Sequence, residues 1–309
     1  MKVYHGVENY ISPKFPVITT GTFDGVHQGH MKILERIKVL AKENDGETVV
    51  VSFDPHPRVV VQPDVDIKLI QTINEKIKQL EKAGIDHFVI IPFTKDFSRK
   101  TSFEFVRDIL VNSLNAKLLV IGYDHQFGRN REGSVKELEE YADTYGFEIE
   151  QIKAKTFDAI NISSTKIRAA LKIGDFETAN TFLGYEFLLT GKVVHGAKIG
   201  NSIGFPTANI DVENRFKIIP ANGVYVVDVL INDEVYGGML NIGLKPTVSS
   251  LNEKSIEVHV FDFNRDIYGE SIQVCFKHRI RSEQKFSSVE ELKKQLAQDK
   301  CESIDFLSK

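Results

Sequence analysis

The sequence predicts two domains: a doubly wound α/β domain built on parallel strands, followed by an antiparallel β-barrel or β-sandwich with a C-terminal helix. Three observations support this prediction. The chain has 309 residues, which is more than a single hydrophobic core usually organises. Its first half alternates apolar, β-branched runs with segments of helical spacing, as βαβ units do. Its second half instead contains consecutive strand-like runs separated by Gly and Asn turns.

Strand-like runs and helical segments alternate throughout the first half of the chain. The predicted strands are residues 15–23, 48–53, 87–93, 117–122 and 147–152. The predicted helices between them are residues 30–42, 72–83, 102–113 and 134–145. Because the strand runs are almost continuously apolar, we expect helices to cover both faces of the sheet. A late helix within residues 162–174 and a short one over 175–183 extend this domain to Tyr185.

The character of the sequence changes at Phe187. The predicted strands of the second half are residues 187–194, 223–231, 235–242, 255–263 and 271–280. Residues 231–235 have the composition of a hairpin turn. A helix is predicted only at residues 288–298. We therefore place the domain boundary near Tyr185, with domains at 1–185 and 186–309.

Composition and charge narrow the class of protein. Hydrophobic residues make up 42% of the chain and charged residues 27%, which is ordinary for a soluble globular protein. The formal charge of -4 argues against a protein that coats nucleic acid, because that function leaves a basic footprint. Cys275 and Cys301 lie far apart without CxxC spacing, so we expect reduced thiols in a cytoplasmic protein. The N-terminus lacks the features of a signal peptide, and no apolar run approaches the ~20 residues that span a bilayer.

The strongest single feature is the glycine-rich run Thr20–His30, where the first predicted strand turns into the first predicted helix. Ligands of open α/β folds bind at this edge of the sheet, and a helix N-terminus attracts phosphate. His27 and His30 are three residues apart, so both can project from one face of the first helical turn. There they could stabilise charge on a phosphorus undergoing displacement. Two histidines with this spacing but without the surrounding motif have two alternative interpretations. They can be surface histidines at the start of a helix, or they can be two ligands of a zinc ion.

This stretch resembles the HxGH signature of the nucleotidylyltransferase superfamily. It is most similar to the version found in prokaryotic bifunctional FAD synthetases, which are riboflavin kinase/FMN adenylyltransferases. Three further segments match the adenylyltransferase half of that family in the expected order: residues 53–57, 122–133 and 162–168. The chain departs from the family at His125, where an aromatic residue is common.

The resemblance implies a Rossmann-like nucleotidylyltransferase domain in which His27 and His30 are catalytic. The implied nucleotide- and phosphate-binding residues of this domain are Gly21, Phe23, Asp24, Gly25, Arg129, Ser164, Thr165 and Arg168. Of these, Ser164 and Thr165 can also cap a helix, and Arg168 on its first turn can reach a phosphate. The implied flavin-binding residues are Phe53, Pro55, His56, Asp124 and Phe127.

A second glycine-punctuated run covers residues 191–210 and contains Gly204-Phe205-Pro206-Thr207-Ala208-Asn209. Thr207 and Asn209 are two residues apart, so they face the same side of a strand. They offer oxygen ligands to a hard cation such as Mg²⁺. If the Thr-x-Asn pair is considered alone, the alternative to a cation site is a β-turn followed by a strand with an ordinary polar face.

This second run is similar to the riboflavin kinase family, and the similarity continues through residues 220–225, 241–247, 257–263 and 281–286. The resemblance implies a six-stranded Greek-key barrel, with Glu257 as the general base that accepts the proton of the ribityl hydroxyl. It also implies nucleotide contacts from Gly196, Lys198 and Gly204, a flavin contact from Arg281, and Mg²⁺ held by Thr207 and Asn209. The chain has Asn201 where the family commonly has a basic residue.

The resemblance covers nearly the whole chain and implies two successive reactions. The C-terminal domain is expected to phosphorylate riboflavin to FMN, and the N-terminal domain to transfer AMP from ATP onto FMN, forming FAD, both with Mg²⁺. The expected partners are these small molecules, without nucleic acid or membrane, and the expected state is a monomer or weak oligomer. Two alternatives stay open: a nucleotidylyltransferase with another acceptor, such as a phosphopantetheine or phosphocholine, and a barrel that senses flavin without kinase activity.

Overall fold

The computed structural model describes residues 1–122, 126–152, 162–196, 200, 203–244 and 254–309. The chain forms two compact units, Met1–Ser164 and Thr165–Lys309. The boundary between the two units lies about 20 residues before the boundary near Tyr185 that the sequence predicted. The difference consists of two helices that pack with the second unit, as described below.

Among the described residues, the first unit contains a six-stranded parallel sheet. Its strands are β1 (Lys2–His5), β2 (Pro16–Thr20), β3 (Glu47–Asp54), β4 (His87–Pro92), β5 (Leu118–Gly122) and β6 (Glu148–Ile152). They lie in the order β1-β4-β3-β2-β5-β6, and each neighbouring pair is parallel. The predicted doubly wound fold is therefore confirmed. Strand β1 was not predicted, because its four residues include two polar side chains and carry little strand signal.

Five helices connect these strands. They are α1 (Gln28–Glu43), α2 (Pro57–Val61), α3 (Ile73–Lys82), α4 (Ser102–Glu104), which continues directly into the π-helical segment Phe105–Ser113, and α5 (Val135–Tyr145). The starts of α3, α4 and α5 are each fixed by a capping box, in which a Thr or Ser side chain and a Glu three residues later bond each other's backbone N–H. The four predicted helices are present, and the short α2 is an addition.

Adjacent residues of one strand pack into separate cores on the two faces of the sheet. In β2, Val17 belongs to the core that contains Leu34 and Ile37 of α1, whereas Ile18 belongs to the opposite core. Both valine and isoleucine are fully buried. This two-sided burial is the reason that the strand runs are continuously apolar.

The order of the strands creates a ligand-binding crevice in the first unit. On one side of β2 lie β3 and then β4, whereas β5, the next strand along the chain, lies on the other side of β2. Loops leaving the carboxyl ends of β2 and β5 therefore run to opposite sides of the sheet, and open α/β folds bind ligands between such loops. The glycine-rich motif follows β2 directly.

Among the described residues, the second unit contains a closed six-stranded barrel of antiparallel pairs. Its strands are β7 (Leu188–Val194), β8 (Ala208–Asp211), β9 (Gly223–Ile231), β10 (Glu234–Leu244), β11 (Lys254–Val260) and β12 (Ser271–Arg281). They close in the order β10-β11-β8-β7-β12-β9. The barrel alternative is confirmed over the sandwich. The connections from β8 to β9 and from β11 to β12 pass over intervening strands, as a Greek-key order requires.

The described residues form three further helices: α6 (Ser164–Ile173), α7 (Phe176–Leu183) and α8 (Val289–Leu307). Helix α7 is built into the core of the barrel unit. The Phe176 ring stacks on Phe276 with centroids 4.9 Å apart and meets the edge of Tyr225 at 5.3 Å. The C-terminal helix α8 is confirmed, although it extends nine residues beyond the predicted end at Gln298.

None of the helices that the structure describes has the length and apolar character needed to cross a membrane.

Candidate active sites

The loop after β2 is held in a left-handed backbone conformation. Phe23, Gly25 and Val26 have φ angles of 45°, 93° and 35°. Glycine adopts such angles readily, whereas Phe and Val do so only when their surroundings hold them. Phe23 and Val26 are buried, at 2% and 0% exposed. The loop is therefore a preformed structure that depends on the packing beneath it.

A buried lysine fixes the peptide that opens this loop. Lys76 of α3 donates from Nζ to the Thr22 carbonyl oxygen at 2.6 Å, and Ser52 Oγ donates to the same oxygen at 3.1 Å. Burial lowers the pKa of Lys76, and the nearby Asp24 and Asp54 carboxylates partly offset this effect. Lys76 was not predicted as a site residue. The available signal was its position on the inward face of α3, in register with Ile73, Ile77 and Leu80.

Asp24 ties the loop to the segment before α3. Its buried carboxylate accepts hydrogen bonds from the backbone N–H groups of Ile70 at 3.0 Å and Gln71 at 3.2 Å. Ser164 Oγ donates to the Asp24 carbonyl oxygen at 2.9 Å. Gly21, at the start of the loop, donates to the Val51 carbonyl oxygen at 3.0 Å. Five of the predicted nucleotide-binding residues, Gly21, Phe23, Asp24, Gly25 and Ser164, thus lie in or against one loop.

The two predicted catalytic histidines lie together at the start of α1. His27 is the N-cap, and its Nδ1 accepts the backbone N–H of His30 at 3.3 Å. The two imidazole rings stack with centroids 3.7 Å apart and an interplanar angle of 12°. Because Nδ1 of His27 accepts a hydrogen bond, the proton of the neutral ring lies on Nε2. Gly29 permits this close arrangement, since a Cβ there would lie 3.1 Å from Cε1 of His27.

The surroundings of His30 favour an uncharged ring. Burial, the neighbouring His27 and the Lys76 ammonium lower the pKa of His30 well below its ordinary value. Its Nδ1 atom is buried, and no described residue forms a hydrogen bond with it. A neutral imidazole at a helix N-terminus can donate one hydrogen bond to a phosphate oxygen. The pair can therefore stabilise negative charge that a substrate brings.

Thr165 and Arg168 lie on α6, within the second unit as the chain divides. Arg129 lies on a short 3₁₀ turn, Arg129–Arg131, of the first unit. Its side chain is about half exposed and lies 3.6 Å from Glu132 Oε2. The turn is positioned by Gly128 at φ 74°, where a Cβ would collide with the Ser102 backbone.

A series of aromatic rings extends from the carboxyl end of β3. Phe53 meets Phe93 at 5.5 Å, Phe93 meets Phe97 at 5.5 Å, and Phe97 meets Phe105 at 6.3 Å. The series ends at Phe127, 6.1 Å from Phe105. Phe53 is partly exposed, whereas Phe127 is 8% exposed and lies in the hydrophobic core. Phe93 and Phe97 were not predicted as site residues.

The segment after Phe53 contains Pro55 and His56, the other described residues of this segment that were predicted to bind flavin. A cis peptide joins Asp54 to Pro55, and Pro55 is exposed. His56 is the N-cap of α2, and its Nδ1 accepts the Arg58 backbone N–H at 3.2 Å.

The second unit contains a cavity of about 290 Å³. Its wall is formed by the segment that precedes β8, by β9, β10 and β11, by the end of β12 and the segment that follows it, and by α8. Three predicted site residues line it, namely Thr207, Glu257 and Arg281. Six polar or aromatic residues that were not predicted as site residues line it too: Phe205, Asn241, His259, Glu283, Gln284 and Phe286.

Glu257 occupies the centre of the polar part of this wall. In β11 it lies between Asn209 of β8 and Asn241 of β10 in the barrel register. Thr207 Oγ1 donates to Glu257 Oε2 at 3.3 Å. Residues directly opposite in adjacent strands, or two apart in one strand, share a face. The structure therefore brings Thr207, Asn209 and Glu257 together.

The glycines around β8 allow close backbone approach. A Cβ on Gly196 would overlap the side-chain amide of Asn209, so the backbone at Gly196 lies against that amide. Gly204 has φ 86°, which requires glycine. The Gly200 carbonyl oxygen accepts the Phe205 N–H at 2.9 Å and closes the turn that precedes Thr207.

Arg281 is anchored to the C-terminal helix. Its Nε and Nη2 lie 2.9 and 2.7 Å from the two carboxylate oxygens of Asp299 in α8, and Asp299 is almost fully buried. Gln295 also donates to Asp299, at 2.9 Å. This bidentate pair holds the guanidinium at the edge of the cavity and joins β12 to α8.

Asp124 and Lys198 lie outside the described residues, as do His125, Asn201, Pro246 and Thr247. Within the described part of the chain there is no group of three or more His, Cys, Asp or Glu residues that could hold a metal ion.

The first unit combines a switch-point crevice, a preformed loop and paired histidines at a helix N-terminus. The second combines a cavity with a carboxylate and, beside it, the neutral oxygen ligands of Thr207 and Asn209. Together these features define the class of enzymes that transfer phosphate-containing groups from a nucleotide.

Comparison with known proteins gives the family. Residues 12–166 match the protein-family model described as FAD synthetase, and residues 183–307 match the one described as riboflavin kinase. The bifunctional riboflavin kinase/FMN adenylyltransferase of Escherichia coli strain K12 is 35% identical over 309 residues, which cover 99% of this chain and 98% of that protein. The protein of the same name from Bacillus subtilis strain 168 is 38% identical over 295 residues, covering 94% and 92%.

A solved structure, described as a macrolide-efflux protein from Streptococcus pneumoniae, has 32% sequence identity to this chain and a TM-score of 0.86. The match covers 96% of this chain and 97% of that one. The chain belongs to the family of bifunctional riboflavin kinase/FMN adenylyltransferases. Its first unit carries the FAD synthetase region and its second unit the riboflavin kinase region.

Proposed function

We propose that the second unit transfers the γ-phosphate of ATP to the 5′-hydroxyl of riboflavin, with Glu257 as the general base. The observation that carries this proposal is the position of Glu257 on the cavity wall, bonded by Thr207 and opposite Asn209. Glu257 accepts the hydroxyl proton, the oxygen attacks the γ-phosphorus, and ADP leaves with the electron pair of the broken P–O bond. A positioned carboxylate is suited to this step because an alcohol is a poor nucleophile.

Thr207 and Asn209 would hold Mg²⁺ beside this carboxylate. The arrangement fits a hard cation: a hydroxyl and a side-chain amide share one strand face, and the backbone at Gly196 leaves no room for a side chain against Asn209. Bound there, Mg²⁺ would neutralise charge on the phosphate oxygens. The glycines at 196 and 204 let the neighbouring backbone approach those phosphates. Lys198 would bind the phosphates as well.

The first unit then transfers AMP from a second ATP to FMN. The FMN phosphate attacks the α-phosphorus, and pyrophosphate leaves. His27 and His30 donate hydrogen bonds to the oxygens that gain negative charge, and the stacked rings are positioned for this before substrate arrives. The loop from Gly21 to Gly25, with Ser164 and the side chain of Arg129, would bind the nucleotide.

The flavin of this second reaction would lie at the carboxyl ends of β3 and β5. Phe53 is partly exposed there, and Phe93 continues the aromatic surface. Pro55, His56 and Asp124 would complete the contacts. Phe127 is buried in the core, so its contribution would be to support the aromatic series rather than to cover a ligand face.

Small molecules are the partners that this account requires. We propose a cytoplasmic enzyme that works without nucleic acid, since the chain carries a formal charge of -4 and its two cysteines, Cys275 and Cys301, are not joined in a disulfide. A monomer suffices, because each proposed site is built within one unit.

The test is FMN formation from riboflavin and ATP, with the metal as a variable. Omitting Mg²⁺ and adding a chelator should abolish FMN formation, and restoring Mg²⁺ should recover it. Asn209→Ala should raise the Mg²⁺ concentration needed for half-maximal rate, whereas Asn232→Ala, in the exposed β9–β10 turn, should not. Undiminished FMN formation without divalent cations would contradict the metal assignment.

A further inference from the structure

His259 lies in the kinase cavity, on the same face of β11 as Glu257 and two residues away from it. The residue is 7% exposed. Its Nδ1 lies 2.7 Å from the Pro206 carbonyl oxygen. Because a carbonyl oxygen only accepts, Nδ1 carries the proton, and this bond fixes both the tautomer and the orientation of the ring.

The other ring nitrogen is left as an acceptor. With the proton on Nδ1, Nε2 presents a lone pair, and burial lowers the pKa of His259, which keeps the ring neutral. Nε2 is buried, and the described residues offer it no hydrogen-bond partner. Few buried polar atoms in native proteins lack a partner. The cavity therefore contains a fixed acceptor suited to a ligand N–H or O–H group.

The position of β11 indicates which ligand supplies that donor. On one side of β11 lies β8, which Thr207 directly precedes, and this is the proposed Mg²⁺ and phosphate side. On the other side lie Met239 of β10, opposite His259 in register, and the apolar residues Leu292 and Leu296 of α8. This apolar side suits the flavin ring, and a ribityl chain joining the ring to the transfer point must cross β11.

The spacing fits such a chain. Residues two apart on a strand are about 6–7 Å apart. A ribityl chain with its terminal hydroxyl at Glu257 would carry its secondary hydroxyls, several carbon–carbon bonds away, toward His259. Phosphate oxygens, which only accept, would gain nothing from Nε2.

We propose that Nε2 of His259 accepts a hydrogen bond from a secondary hydroxyl of the ribityl chain and thereby orients the terminal hydroxyl toward Glu257. The inference rests on the proposed kinase function of this unit. It makes His259 a residue that distinguishes riboflavin from flavins whose side chain lacks secondary hydroxyls.

Three substitutions separate the roles of the two nitrogens. His259→Asn places an N–H near the position of Nδ1, so it can keep the bond to Pro206 while removing the acceptor. His259→Gln reaches the position of Nε2 with an amide oxygen and should partly restore the acceptor. His259→Phe fills the ring volume without either nitrogen and replaces the Asn variant if that variant does not fold. His278→Asn, at an exposed histidine of β12, is the matched control.

The measurement compares two substrates: riboflavin, and a flavin carrying a 5-hydroxypentyl chain, which keeps the terminal hydroxyl only. In the parent protein kcat/KM should favour riboflavin. In His259→Asn and His259→Phe this preference should shrink by about two- to tenfold, the worth of one hydrogen bond. His259→Gln should regain part of it, and KM for ATP should stay constant in every variant. FAD formation from supplied FMN, made by the other unit, normalises for the amount of protein, and a circular dichroism melt close to that of the parent shows that the second unit is folded.

An unchanged preference in His259→Asn, or a rise in KM for ATP instead, would overturn the inference. Failure of the proposed function gives a different result, because the parent protein would then form no FMN from either flavin. A parent that forms FMN, combined with an unchanged preference in the variants, refutes only the role of His259.

Discussion

At the scale of single residues, His27 and His30 carry the adenylylation half of the account. Replacing either by Ala should lower FAD formation from supplied FMN by ~10²–10³-fold, the usual effect of removing one donor that stabilises transition-state charge. Riboflavin phosphorylation should stay close to the parent rate, because that chemistry belongs to the other unit. His5→Ala, at an exposed histidine of β1, is the control. Equal loss of both activities would indicate misfolding instead.

Glu257 is the residue on which the proposed kinase reaction depends. Glu257→Gln keeps the size of the side chain and removes the proton acceptor, so FMN formation should fall by ~10²–10⁴-fold. Adenylylation of supplied FMN should persist. Asp262→Asn is a matched control, since Asp262 is exposed, follows the end of β11, and has a φ of 52° that Asn also tolerates. Retention of most kinase activity in Glu257→Gln would mean that another group is the base.

Lys76 is a positioning residue for the adenylylation site. Lys76→Met keeps the apolar stem and removes the ammonium that bonds the Thr22 carbonyl oxygen. Losing this charged donor, while Ser52 Oγ keeps its own bond to the same oxygen, should cost about 1.5–3 kcal/mol in the free energy of unfolding of the first unit. It should also raise KM for ATP in FAD formation while leaving kinase KM values unchanged. Lys78→Met, exposed on the same helix, provides the control. A loss of stability without any change in KM would assign Lys76 a purely structural role.

The residues that sequence predicted and those that it missed differ in a physical way. His27 and His30, like Thr207 and Asn209, lie in short motifs whose local spacing determines a shared face, so these motifs can be recognised in the sequence. Glu257 was assigned from the resemblance to the riboflavin kinase family. Lys76 and His259 matter through contacts with residues 54 and 53 positions away, at Thr22 and Pro206. Such contacts are created by the tertiary fold and leave little local signal.

At the scale of elements, α7 stabilises the barrel although sequence alone assigned it to the α/β domain. Its helical pattern continues the preceding texture, and only the fold reveals that Phe176 packs on Phe276 and Tyr225. Phe176→Ala should therefore lower the unfolding free energy of the second unit by about 3–5 kcal/mol. Phe306→Ala, at a partly exposed ring of α8, should cost clearly less. Thermal melts monitored by kinase activity would check this, and equal effects would contradict the assignment of α7 to the barrel.

The strands also differ in how readily the sequence predicts them. Long runs such as β3 and β12 were predicted because two-sided or alternating burial leaves a pattern in the sequence. The short strands β1 and β8, each of four residues, depend on pairing with neighbours that are distant along the chain. Their existence follows from topology more than from composition.

At the scale of the whole molecule, the account joins two independent catalytic units in one chain. A fragment of residues 165–309 should fold and phosphorylate riboflavin without making FAD, since it contains the barrel and both helices that pack on it. A fragment beginning at residue 186 lacks Phe176 and should be less stable. If neither fragment has kinase activity while the full chain does, the two units depend on each other.

The most direct test of the central claim is a complementation assay, in which riboflavin and ATP are supplied and FMN and FAD are separated by chromatography. The parent chain should convert riboflavin to FMN and then to FAD. His30→Ala alone should accumulate FMN, Glu257→Gln alone should leave riboflavin unchanged, and a mixture of the two variants should again produce FAD. The account would be contradicted if each variant lost both activities, or if Glu257→Gln alone converted riboflavin to FAD at the parent rate.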